Sequence, residues 1–230
     1  MWVYLAVFGI QPRLGFFAGG IGVLILALTS PINALAEGIL FSAHMMQHIL
    51  LLLGVSALLL LGLPRGTSVP LGGLLNHPLI GWVAGIGSMW FWHAPALCNA
   101  AASSPGIRGL QSISLIGLGM MFWWQLLAPK EEDRLQPPQA VVYLFSACLA
   151  CSVLGIIITL SPVRVCSAYA NPATDSNGLL NMMRTDWGIT PELDQQIGGL
   201  LMWVPMCSIY AAAILAQIAR WFRSRPVEVS

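Results

Sequence analysis

The chain reads as an all-α integral membrane protein, a bundle of about six transmembrane helices with its N-terminus and C-terminus cytoplasmic. Three observations carry that expectation. The 230 residues are 57% hydrophobic and only 8% charged, against roughly 25% charged in ordinary soluble domains, and mean hydropathy is positive. Apolar runs of near-spanning length recur, separated by residues that favour turns or helix starts. Basic residues gather at alternate breaks. The net charge of +1 offers no field of either sign to nucleic acid or to an acidic partner.

A crossing helix takes about 20 mainly apolar residues, because unpaired backbone groups are intolerable in hydrocarbon. The opening MWVYLAVFGI is too short to cross and has no basic flank of the kind that precedes a signal sequence, so it reads as an interfacial start. Spans are expected at about 14–29, 41–63, 79–97, 110–127, 140–160 and 197–222, within a single polytopic domain over 1–230. Ser30-Pro31, Leu63-Pro64-Arg65-Gly66, Ser104-Pro105-Gly106, Lys130-Glu131-Glu132-Asp133-Arg134 and Ser161-Pro162 mark the breaks. Thr190-Pro191-Glu192 announces the last helix with a capping hydroxyl, a first-turn proline and an acid at the positive helix end.

Lys and Arg are retained on the cytoplasmic side of a membrane. With the N-terminus inside, Arg13, Arg65, Lys130, Arg134, Arg220, Arg223 and Arg225 are cytoplasmic, and only Arg108, Arg164 and Arg184 fall outside. Residues 161–192 then form an extracytoplasmic loop. Gly81-x-x-x-Gly85 is a close-packing signal for the third span. Trp90, Trp92, Trp123, Trp124 and Trp221 read as interface anchors, and Arg108 as a snorkelling side chain.

Chemistry concentrates in the second and third spans. FSAHMMQHILLLLG places His44 and His48 four residues apart, on one face of a helix, with Met45 three residues before His48. WFWHAP puts His93 near the outer end of its span. A lone membrane histidine often does no more than hydrogen-bond a neighbouring helix, but ionisable groups in spans are costly and point to function when they cluster. His77, before Pro78, reads as a helix-start residue. Imidazole suits zinc, copper and iron, while thioether sulfur favours Cu(I), so nearby methionines make copper the expected ion. The zinc-protease pattern H-E-x-x-H needs a glutamate where this chain has Met45, which favours binding over hydrolysis. Five cysteines without dense spacing define no disulfide framework. Cys148 and Cys151, on one helix face, could bind a soft metal or exchange electrons; Cys98 and Cys166 fall on the outer side and could meet each other or a metal.

Four segments in order, LALTSPINALAEGILFSAHMMQHILLLLGVSALLLLGLP, MWFWHAPALCNAA, MFWWQLLAP and LDQQIGGLLMWVP, resemble the CtaG-type membrane proteins that assist cytochrome c oxidase assembly. The resemblance covers most of the chain from about Leu26. It implies a non-enzymatic assembly factor of the bacterial plasma membrane, multi-pass, with a haem-copper oxidase subunit as partner and a periplasmic copper donor as a further one. It singles out His44, Met45, His48, His93, Asp194 and Gln195, with copper as the implied metal. The resemblance also implies a further histidine pair just before the FWW motif, where this chain has Arg108 and Ser112. Two other readings stay open: a metal-free scaffold, and a haem-binding electron carrier using His48 and His93 as axial ligands.

Overall fold

The computed structural model describes residues 2–9, 11–67, 72–170 and 178–224. Arg225, expected on the cytoplasmic side, lies outside them. The described residues form helices, turns and loops: α1 (Trp2–Phe8), α2 (Leu14–Thr29), α3 (Pro31–Ala36), α4 (Phe41–Gly62), α5 (Pro78–Trp92), α6 (Pro95–Ser103), α7 (Pro105–Leu127), α8 (Pro137–Leu160) and α9 (Pro191–Ser224). Proline occupies the first turn of α3 and of α5 to α8, where its missing N–H costs nothing.

Among the described residues, four helices, α4, α7, α8 and most of α9, are long and apolar enough to cross a membrane. The apolar α2 has 16 residues, and α5 has 15. The third expected span, 79–97, is therefore not one helix. Pro95 disfavours helical geometry at the residue before it, Ala94 is extended, and the chain restarts as α6. The outward face of α8 carries exposed Val142, Phe145, Leu149, Val153 and Ile157, a surface suited to lipid rather than water.

Small residues set the helix spacing. A Cβ on Gly85 would meet Phe122 of α7 at 2.6 Å, and one on Gly155 would meet Trp203 of α9 at 2.5 Å. A Cβ on Gly81 would meet the Met121 carbonyl oxygen at 2.9 Å, so the expected Gly81–Gly85 stripe does pack α5 on α7. Within α4, Leu50–Val55 widens into a π-turn. The Ser56 hydroxyl there lies 2.9 Å from the carbonyl oxygens of Leu51 and Ile116, joining α4 to α7.

At one end of the bundle, α1 returns to the foot of α4, where the Tyr4 hydroxyl donates to Gly62 O at 2.7 Å. At this end Arg13 bonds Leu63 O, and the positive charges of Arg13, Arg65 and Arg220 act on Arg134. The opposite end gathers the start of α4, the end of α5, the start of α7 and the start of α9. Cys98 on α6 and Cys166 beyond α8 form a disulfide, with Cα atoms 5.7 Å apart. Asn99 Oδ1 accepts from the Ala168 N–H at 2.8 Å and the Ser167 hydroxyl at 3.2 Å. These ties fix Tyr169 over the start of α4, its hydroxyl donating to Ala36 O at 3.0 Å.

Candidate metal centre

The first turns of α4 turn Phe41, His44, Met45 and His48 inward, the i, i+3, i+4, i+7 spacing of a buried helix face. Their position is set from outside the helix. Leu40 at the N-cap has no side-chain acceptor, yet the first N–H groups of a helix need partners. Asp194 of α9 supplies them. Its Oδ2 accepts from the Phe41 N–H at 2.7 Å, and its Oδ1 accepts from the Ser42 N–H at 3.0 Å and the Ser42 hydroxyl at 2.6 Å. Asp194, expected among metal ligands, thus has both oxygens engaged in capping α4. Gln195 performs a similar service next door, with Nε2 donating to Ile158 O at 3.2 Å and Oε1 accepting from the Val165 N–H at 3.0 Å.

The three imidazoles meet. Ring centroids lie 4.2 Å apart for His44 and His48, and 5.3 Å apart for His48 and His93. Their exposures are 1%, 2% and 4%, so water does not solvate them. His93 Nδ1 lies 2.5 Å from Met89 O. A carbonyl only accepts, so Nδ1 carries the proton and Nε2 presents a lone pair, 3.0 Å from the Met45 sulfur. A second nitrogen bonded to a backbone carbonyl is the usual way a ligating histidine is oriented.

Both ring nitrogens of His44 and of His48 are buried with no hydrogen-bond partner. Native proteins pair the great majority of such atoms, and each one left unpaired costs about 1–3 kcal/mol. Neutral imidazole nitrogens and one thioether form a donor set for a soft or borderline ion such as Cu(I). Among the described residues, no group of three or more His, Cys, Asp and Glu side chains is placed to hold a metal ion; the three imidazoles are adjacent but do not converge on one point as they stand.

Three further residues border the cluster. Gln111 of α7, 1% exposed, acts on the His48 ring while its own Nε2 lacks a partner of ordinary geometry. Tyr169 covers His44 at a ring separation of 5.5 Å. Arg108, expected to snorkel, instead turns inward: its side chain is 16% exposed, it lies 3.8 Å from Glu37, and its charge reaches His44 and Tyr169. Ser112 donates to Arg108 O, at 3.0 Å, on its own helix. Arg108 and Gln111, three residues apart, thus bring α7 to the histidines. The signal in the sequence was the resemblance, which implies a histidine pair where Arg108 and Ser112 stand.

The other expected residues fall elsewhere. His77 is the N-cap residue of α5, as read from sequence. Cys148 does not pair with Cys151; its sulfur lies 2.7 Å from Cys207 of α9.

A family model described as cytochrome c oxidase caa3 assembly factor matches residues 10–224. No curated protein and no solved structure matches the chain.

Proposed function

We propose, from the premise that this chain belongs to the cytochrome c oxidase caa3 assembly factor family, that it holds copper transiently and passes it to a subunit of the oxidase. His44, His48 and His93 are the nitrogen donors in this reading and Met45 the sulfur donor; Asp194 positions α4 and does not itself ligate. Copper is cargo here, not a resident cofactor, and the role is assembly rather than turnover. The single observation that carries the reading is the set of four unpartnered nitrogens on His44 and His48, buried beside an oriented His93 and a thioether. A purely structural histidine cluster would be expected to spend its nitrogens on neighbouring helices. A haem between His48 and His93 is disfavoured, because the ring centroids lie only 5.3 Å apart within a buried cluster, which leaves no room for a macrocycle between them.

The membrane arrangement follows the same reading. The short α2 and α5 cross together with α4, α7, α8 and α9, making six spans of one domain in a bacterial plasma membrane. Both termini are cytoplasmic, and the histidine end faces outward. The basic cluster around Arg134 supports that orientation. The disulfide at the histidine end supports it too, since such bonds persist in oxidising compartments. Copper then arrives from an extracytoplasmic donor and leaves to the oxidase subunit.

The deciding experiment is metal content by mass spectrometry on detergent-purified protein loaded with Cu(I). Wild type is expected to retain near one copper per chain and His44→Ala/His48→Ala to lose it. Equal copper in both, or none in wild type, overturns the assignment; oxidase co-purifying without any metal would establish the scaffold reading instead.

A further inference from the structure

We infer that Cys148 and Cys207 form a redox-active dithiol, closed to a disulfide between α8 and α9 by a lipid-soluble two-electron oxidant of the quinone class. The sulfurs are 2.7 Å apart. That is closer than two unbonded sulfurs rest and approaches the roughly 2.05 Å of an S–S bond. It is also too short for an ion held between them, since thiolate–metal bonds run to about 2.3 Å each in an open angle.

The helices hold the two residues at one level. Gly155 lies against Trp203 and Gly199 against Thr159, and both pairs fit one antiparallel register. In that register Cys207 faces position 151, one helical turn from Cys148 on the same face. Cys151 is fully buried beside Tyr210, and it is the half-buried Cys148 whose sulfur meets Cys207. The Ser152 hydroxyl donates to Cys148 O at 2.8 Å and lies 3.1 Å from the Cys207 sulfur. With its hydrogen committed to that carbonyl, Ser152 Oγ offers the Cys207 S–H an acceptor at 3.1 Å, beside Cys148 O at 3.7 Å. The proton is drawn aside and sulfur lone-pair density is left toward Cys148.

The position selects the oxidant. Cys148 is residue 12 of the 24 in α8 and Cys207 residue 17 of the 34 in α9, so both lie near mid-helix, far from either end. Both are half-buried, and their neighbours Phe145, Leu149 and Val204 are exposed apolar side chains. Access is from the lipid phase. The step balances as two thiols plus quinone giving one disulfide plus hydroquinone: two S–H bonds break, one S–S bond forms, and two protons and two electrons pass to the quinone oxygens.

The test is a thiol count on the intact, detergent-solubilised chain. Protein is incubated with decyl-ubiquinone, denatured in SDS, alkylated with N-ethylmaleimide and weighed. Three cysteines are free in this structure, Cys148, Cys151 and Cys207. Wild type is expected to lose two of the three labels, with one hydroquinone formed per chain. Cys151→Ala should also lose two, whereas Cys148→Ala and Cys207→Ala should lose none. An unchanged label count in wild type overturns the proposal. So does a two-label loss that survives in Cys207→Ala, which would assign the chemistry to Cys148 and Cys151. Copper retention plays no part in this readout, so the result is independent of the histidine site.

Discussion

At the histidine end, two sets of buried polar side chains lie within a few turns of each other and are treated in opposite ways. Asp194 and Gln195 have their polar atoms engaged, and Gln47 Nε2 reaches both Ala27 O and Asn33 Oδ1 at 2.9 Å. His44, His48 and Gln111 keep nitrogens unpartnered in the same interior. The first set joins α2, α3, α4, α8 and α9. The second meets its neighbours through ring packing and the contact of Gln111 with His48, and its orphaned atoms lower stability. A protein able to satisfy one set so fully has left the other open, and open donors are what binding an ion requires.

The largest test of that contrast is Asp194→Ala, which strips three hydrogen bonds from the start of α4 and leaves two backbone N–H groups buried. A loss of about 3 kcal/mol or more is expected, read from unfolding in mixed SDS micelles. A loss below about 1 kcal/mol would show that the cap does not organise the site. Gln47→Leu should cost about 1–3 kcal/mol in the same assay, because Ala27 O and Asn33 lose a buried donor. His48→Leu should go the other way: removing orphaned nitrogens while keeping bulk should leave stability unchanged or raise it by about 1 kcal/mol, and copper retention should fall sharply. A strong destabilisation would mean that His48 is structural after all. The smallest effect belongs to Arg108→Gln. Its partner Glu37 is half exposed, so the pair is worth about 0–1 kcal/mol, and a thermal melt in detergent should shift little.

Much of this was legible in the chain itself. The i, i+4 spacing of His44 and His48 required them to share a face, and a helix held them there. Thr190 was readable as a cap, and its hydroxyl does accept from the Leu193 N–H at 3.2 Å. Five of the six expected spans correspond to helices of the structure, whereas the third, 79–97, breaks at the residue before Pro95. The cap on α4 was not legible, because Asp194 lies 153 residues from Phe41 and no local rule joins them. The pairing of Cys148 with Cys207 was hidden for the same reason, as was the inward turn of Arg108, which depends on Glu37 standing across from α7.

Composition and apolar periodicity alone determined that this chain is a helical membrane protein and which helix faces carry its imidazoles, because both follow from local geometry and from the cost of unpaired backbone in lipid. Motif order alone pointed to its family. Which polar groups are spent on structure and which remain free was decided only when the helices packed, since hydrogen-bond satisfaction belongs to pairs of atoms that the fold, and not the chain, brings together.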